Sequence, residues 1–154
     1  MPTLRYVANH DVEKIIAIES ESFPKPWDKE VFWILASCEG RMKLRGDRAI
    51  FMQVIDVDGE IAGYVVWEEN NQDRAAHLMN IAIDSSFRRK GLATLLLVYL
   101  FDRIKSNGIQ TCILEVRESN QAAIALYRSL GMKLTSRHLA YYGEEDALIY
   151  SIHF

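Results

Sequence analysis

The stretch from Met79 to Ile104 constrains the fold more than any other. Met79 to Ile83 is mostly apolar with β-branched residues, which suits a strand covered on both faces. Leu92 to Ile104, LATLLLVYLFDRI, is too long and too unbranched for a strand and reads as a buried helix. Between them lie Arg88, Arg89, Lys90 and Gly91. A helix start presents unpaired backbone N–H groups and the positive end of the helix dipole. Gly91 and Ala93 place almost no side chain before those donors, and Arg88 and Arg89 suit phosphate geometry. The turn therefore has the makings of a metal-independent pyrophosphate grip. An ordinary solvated basic turn accounts for the same residues. Neither Gly-x-x-x-x-Gly-Lys-Ser/Thr nor Gly-x-Gly-x-x-Gly occurs, which argues against a P-loop or a dinucleotide fingerprint.

The rest of the chain supplies partners for this unit. Leu4 to Val7 predicts a short strand. Asn9 is placed to cap a helix with Val12, Ile15, Ile16 and Ile18 on its apolar face. Phe23-Pro24-Lys25-Pro26-Trp27 cannot continue that helix. Asp28 can cap a second, carrying Val31, Phe32, Ile34 and Leu35. Glu39 to Asp47 is polar with two glycines and reads as loop. Ile50 to Val57, Asp58-Gly59 and Ile61 to Trp67 form a hairpin signal, and Ala75 to Ile83 is the central strand. Asn107-Gly108 stops the long helix. Thr111 to Val116 is a second buried strand, and Ser119 or Asn120 caps a helix from Gln121 to Leu130. Met132 to Leu139 and Ala147 to Ile152 read as a closing strand pair. A strand–helix–strand crossover among these elements predicts an α/β (α+β) fold with a mixed sheet, in one domain covering residues 1–154.

Charge and cysteine content narrow the ligand. A net charge of −3 makes no whole-chain case for nucleic acid or a membrane surface. The cations of the turn stand alone on an acidic background, which favours a small anionic ligand. Two cysteines, Cys38 and Cys112, suggest neither a disulfide framework nor a metal site. The first residues show no signal-peptide pattern, and the longest apolar run, Leu95 to Phe101, is too short to span a bilayer; a cytoplasmic location is expected.

A second stretch, LEVRESNQAAIALYRSLG from Leu114 to Gly131, changes the weight of the turn. Arg88-Arg89-Lys90-Gly91-Leu92-Ala93 resembles the pyrophosphate turn of the GNAT superfamily of acetyl-CoA-dependent N-acetyltransferases. Asn120 through Tyr127 to Gly131 resembles that family's Asn-x-x-Ala-x-x-Leu-Tyr-x-x-x-Gly segment. The phrases LEVR-x-SN-x-AAIALY and YY-x-x-x-EDA are similar to the RimI-like, N-terminal (Nα) branch. The resemblance runs from about Leu4 to the C-terminus. It implies a seven-stranded, mostly antiparallel sheet flanked by helices, splayed between its fourth and fifth strands. It further implies acetyl-CoA in the splay, with no metal.

The resemblance also implies roles. Ile81, Ala82 and Ile83 would contact the acyl and pantetheine groups. Arg88, Arg89, Lys90, Gly91, Leu92, Ala93 and Thr94 would hold the phosphates. Asn120 would lie near the pantetheine; a plain N-cap explains it equally well. Glu115 lies inside an otherwise apolar strand, where a carboxylate needs a cavity or a partner. By alternation it shares a face with Ile113 and Arg117, so an ion pair with Arg117 or another cation is one explanation. The branch instead makes Glu115 the general base, with desolvation raising its pKa. Tyr127 is a packing residue by itself; in the family a tyrosine here donates a proton to the leaving sulfur. For the acceptor, the resemblance points to Phe23, Pro24 and Trp27 on one loop and Tyr141 and Tyr142 on another. A hydrophobic staple also explains Trp27. His77 and His138 could also line the acceptor side, although a plain surface histidine is the commoner explanation of each.

The implied activity is acetyl transfer to the N-terminal α-amine of proteins or peptides, ribosomal proteins among them, with an auxiliary subunit as a further partner. Two other readings stay open. One is acetylation of lysine or a polyamine-like amine, with Glu144, Glu145 and Asp146 as an acidic acceptor patch. The other is a non-catalytic acyl-CoA-binding module with no use for Glu115 or Tyr127.

Overall fold

The computed structural model describes residues 1–154. In chain order the elements are β1 (Pro2–Tyr6), α1 (Val12–Ser22), α2 (Lys29–Ser37), β2 (Arg41–Lys43), β3 (Arg48–Val57), β4 (Glu60–Asn70), β5 (Ala75–Ile83), α3 (Leu92–Ser106), β6 (Thr111–Arg117), α4 (Gln121–Ser129), β7 (Lys133–His138) and β8 (Ala147–His153). The strands form one sheet in the order β1-β3-β4-β5-β6-β8-β7, with β2 also on β3. Every pairing is antiparallel except β5 with β6. The sheet has eight strands rather than seven, because β2 lies within the stretch expected to be loop. Gly40 ends that approach with φ +76, and its N–H bonds back to Leu35 O, which turns the chain onto β3. With β2 counted, the expected splay falls between β5 and β6.

Helices cover both faces. On one, Leu92, Leu96, Leu97, Leu100, Phe101 and Ile104 of α3, with Ile124 and Tyr127 of α4, pack on Val65, Trp67, Leu78, Cys112 and Leu114. On the other, Val12, Ile15 and Ile18 of α1, with Phe32 and Leu35 of α2, pack on Met52, Val54, Tyr64 and Val66. Ile61 to Trp67 is accordingly buried without a break. Each such aliphatic side chain contributes roughly 1.5–3 kcal/mol.

Three local expectations change. Asn9 does not cap α1: residues Asn9–Asp11 form a short 3-10 turn, and the Asp11 carboxylate accepts from Ala8 N–H at 2.8 Å and from Arg5 at 2.7 Å. Val31 and Ile34 of α2 face outward, while Phe32, Leu35 and Ala36 are buried. Leu95, Val98 and Tyr99 of α3 are also exposed, so that helix is buried along one side only. The Asp58-Gly59 hairpin is as expected, with φ +52 and +91 at the two turn residues.

Gly63 of β4 decides how closely β5 approaches. A Cβ there would stand 2.6 Å from both the Ala82 carbonyl oxygen and Ile83 Cδ1. Gly63→Ala is expected to destabilise the fold by about 1–3 kcal/mol through overpacking, read as a fall in the urea midpoint.

Candidate active site

The site begins where a parallel ladder stops. β5 and β6 pair over Ala75–Thr111, Ala76–Cys112 and His77–Ile113, and nowhere beyond. Their C-terminal halves separate and leave the edge of β5 open to an added extended chain. A register shift against β4 falls here as well: Leu78 pairs with Trp67 and Asn80 with Val66, so Met79 is left without a partner.

The open edge of β5 leads into the basic turn. Arg89 and Gly91 are left-handed, at φ +62 and +75. Gly91 is the N-cap of α3 and supplies no side-chain cap. No hydrogen bond is donated by the backbone N–H groups from Arg89 to Thr94. Alternating left- and right-handed residues turn such donors towards one concavity, an anion nest. A Cβ built on Gly91 would meet nothing within 4 Å, so the approach to the donors is clear. Arg88 is also engaged within the chain. Its Nε donates to Ile83 O at 3.0 Å and its NH2 reaches Ser22 Oγ at 3.4 Å, tying the end of β5 to the end of α1. Asn120 is the N-cap of α4, accepting from Ala123 N–H at 3.2 Å.

Tyr127, on α4, is buried, and its hydroxyl has no partner within the chain. Burial pushes its pKa up to about 12, so the phenol keeps its proton at neutral pH. Tyr142 lies close enough to add to that shift. Glu115 faces away from Cys112, Leu114 and Val116, as alternation requires. Its partner is not Arg117. His77 Nε2 stands 2.6 Å from Glu115 Oε2, whereas Arg117 bonds Glu145 at 3.1 Å and lies over the Tyr142 ring at 4.1 Å. The hydrogen bond from His77 outweighs burial and lowers the Glu115 pKa, reversing the expected direction. The same bond raises His77 above its ordinary value. Sequence offered His77 for the acceptor side but not its bond to Glu115, because parallel register, not spacing along the chain, brings the two together.

Two loops roof the splay. Residues 23–28 are held by Glu19, a buried carboxylate that accepts from Trp27 N–H and Asn80 Nδ2, each at 2.8 Å, and from the Tyr64 hydroxyl. Trp27 stacks on Phe32, four residues into α2, which is the hydrophobic staple. Phe23 packs on the same core and Pro24 is exposed. A cavity of about 330 Å³ opens here among Ile16, Glu19, Trp27 and Phe32. Opposite, Tyr141 packs edge-on against His138 and Tyr142. The loops converge: a Cβ on Gly143 would lie 4.0 Å from Lys25 Nζ. A larger depression, about 900 Å³ and lined by Phe51, Arg74, Asn107 and Phe154, lies by the paired ends of β5 and β6, away from this chemistry.

The His77–Glu115 bond has a pH signature. Glu115, lowered from 4.5, contributes stability above that value and loses it as pH falls through the lowered pKa. His77, raised from 6.5, contributes fully below that value and loses it as pH rises through the raised pKa. The stability difference between wild type and His77→Gln should therefore peak between about pH 4.5 and 6.5 and shrink on either side. Both groups are partly exposed, so it should stay near 1 kcal/mol. Thermal unfolding across pH checks this.

Comparison with known proteins places this architecture. Residues 12–132 match the Acetyltransferase (GNAT) family. The [ribosomal protein bS18]-alanine N-acetyltransferase of Salmonella typhimurium is 33% identical, over 99% of this chain and 97% of its own length. An N-alpha-acetyltransferase of Saccharolobus solfataricus is 31% identical, over 96% of this chain and 90% of its own. The crystal structure of the ribosomal-protein-S18-alanine N-acetyltransferase from Escherichia coli superimposes with a TM-score of 0.82 at 30% identity, covering 99% of this chain and 94% of that one. Agreement over nearly the whole length, in sequence and in backbone, leaves one assignment: the chain belongs to the acetyltransferase (GNAT) family.

Proposed function

We propose that this chain transfers the acetyl group of acetyl-CoA to the N-terminal α-amine of a protein or peptide, through one catalytic domain spanning residues 1–154. The observation that carries the reading is the approach of the two loops beside the splay, where Lys25 comes close to Gly143. A chain terminus can enter between them; a lysine on a folded surface meets the loops first. The names of the bacterial and archaeal relatives point the same way, to a ribosomal protein's N-terminal alanine and to α-amines.

The residues present fit acetyl-CoA. The free N–H groups from Arg89 to Thr94, with Arg89 and Lys90 beside them, suit a pyrophosphate. The unpaired edge of β5 from Met79 to Ile83, with Ile81, Ala82 and Ile83 in line, suits the amides of pantetheine. Asn120 spends its oxygen on its helix and keeps its Nδ2. Bound acetyl-CoA supplies an activated thioester. Tyr127 holds a proton for the departing sulfur, and Glu115 stands on the face of β6 opposite the core that contains Tyr127. No helix is long and apolar enough to cross a membrane, and no group of three or more His, Cys, Asp or Glu is arranged to hold a metal ion.

Intrinsic acidity favours the α-amine. Its pKa of about 7.7–8.0, against about 10.4 for lysine, leaves roughly a tenth neutral at pH 7 against roughly one lysine in 2,500. The polyamine alternative keeps only Glu144 of its acidic patch unpaired. Glu145 is taken by Arg117 and Ser119, and Asp146 by Arg137 and Ala140 N–H.

Peptides paired as free and N-terminally blocked, each containing lysine, test the assignment by product mass spectrometry. The free peptide should be acetylated at its terminus and the blocked one hardly at all; comparable acetylation of both would falsify the α-amine reading. Tyr127→Phe should slow single-turnover transfer by about 10²-fold with the fold intact; wild-type turnover in that variant would remove Tyr127 from the chemistry, whereas a wild-type chain that binds acetyl-CoA without turnover would favour the non-catalytic binding module. The two arginines should behave differently. Arg89→Ala should weaken acetyl-CoA by about 1–3 kcal/mol and spare a truncated thioester without phosphates. Arg88→Ala, which frees the end of β5, should weaken both donors alike. Calorimetric Kd values for the two thioesters separate these outcomes.

A further inference from the structure

We propose that His77 and Glu115 work as one base, His77 taking the amine proton on Nδ1 while Glu115 orients the ring and balances its charge; this rests on the acyl-transfer reading above. His77 is the last residue of β5 to pair with β6, so its ring stands where the cleft opens. Its Nε2 lies 2.6 Å from Glu115 Oε2. An ionised carboxylate only accepts, so Nε2 carries the hydrogen, and in the neutral ring, the form that acts as base, Nδ1 keeps its lone pair. Nδ1 has no partner within the chain, and the side chain is 36% exposed.

The alternative is that Glu115 acts alone. A carboxylate already engaged by an N–H donor is a weaker base, while an imidazole backed by a carboxylate is a stronger one. Geometry and electrostatics thus move the proton's destination from oxygen to nitrogen. The groups facing the pair are Glu68 from β4, which supports a charged imidazole, and His138 from β7. Tyr142 closes over Glu115 from the loop after β7. Arg117, further along β6, is occupied by Glu145.

The step balances without a further reactant. The lone pair of the neutral amine forms the N–C bond as the C–S bond breaks. His77 takes the proton that nitrogen loses, and Tyr127 gives its phenol proton to sulfur. Exchange with solvent then returns His77 to neutral and Tyr127 to the phenol.

The test is the pH dependence of single-turnover transfer, at saturating acetyl-CoA and free-terminus peptide, for wild type, His77→Gln and Glu115→Gln. His77→Gln should slow transfer by about 10²-fold or more and lose the wild-type acid limb, with partial rescue by added imidazole. Glu115→Gln should retain a limb displaced downward, towards the ordinary imidazole value of about 6.5. The peptide's own α-amine ionises identically in all three reactions and cancels in the comparison. His77→Gln with wild-type rate and limb overturns the proposal and leaves Glu115 as sole base. A slow His77→Gln with an unmoved limb and no imidazole rescue also overturns it, since His77 is then structural. Wild type that does not acetylate the α-amine overturns the acyl-transfer reading, and this proposal with it.

Discussion

The separation of β5 from β6 is the constraint on which the rest of the structure depends. Two parallel strands that paired along their full length would bury the backbone edge and leave no cleft. Here pairing stops at His77 and Ile113. Gly63 keeps β4 close against the far half of β5, so that half stays extended without its second neighbour. β6 is held on its other side by β8 along its whole length, from Thr111–His153 to Arg117–Ala147. Each strand is thus supported from outside, and the gap between them remains open without a collapsed core.

Everything chemical is hung on the two lips of that gap. β5 ends in the turn whose free N–H groups open α3, so one strand delivers both the open edge and the anion nest. β6 carries Glu115 on one face and core residues on the other, and α4, which follows it, brings Tyr127 up from the core side. Burial raises the Tyr127 pKa, while the hydrogen bond from His77 lowers that of Glu115. The surroundings thus drive two titratable groups of the same region in opposite directions.

Glu19 does for the acceptor side what the sheet does for the donor side. A buried carboxylate costs several kcal/mol unless its oxygens are satisfied. The donors of Trp27, Asn80 and Tyr64 satisfy it, and they come from the roof loop, β5 and β4 respectively. The roof over the splay is therefore tied to the same strand that forms the lip beneath it. Arg88 adds a second tie, from the end of β5 to the end of α1.

Local order along the chain was enough to find most elements. Period and composition marked β5 to the residue and α3 from its first residue, and Asp58-Gly59 marked the hairpin, because backbone preference and turn chemistry act over a few neighbours. They also marked the turn at Gly91 and, through resemblance, Glu115 and Tyr127. What sequence could not supply was pairing between distant segments. The short β2 has no strand pattern of its own and exists because β3 offers it an edge. Val31 and Ile34 look like core and are not, since the sheet reaches only the other side of α2. Alternation offered Arg117 or another cation as a partner of Glu115, and put Arg88 alongside the phosphate turn. Tertiary structure gave Arg117 to Glu145, Arg88 to Ile83, and Glu115 to His77, which is 38 residues away in sequence. Charge and hydrogen-bond partners depend on distance in space, and only the register of β5 against β6 sets that distance.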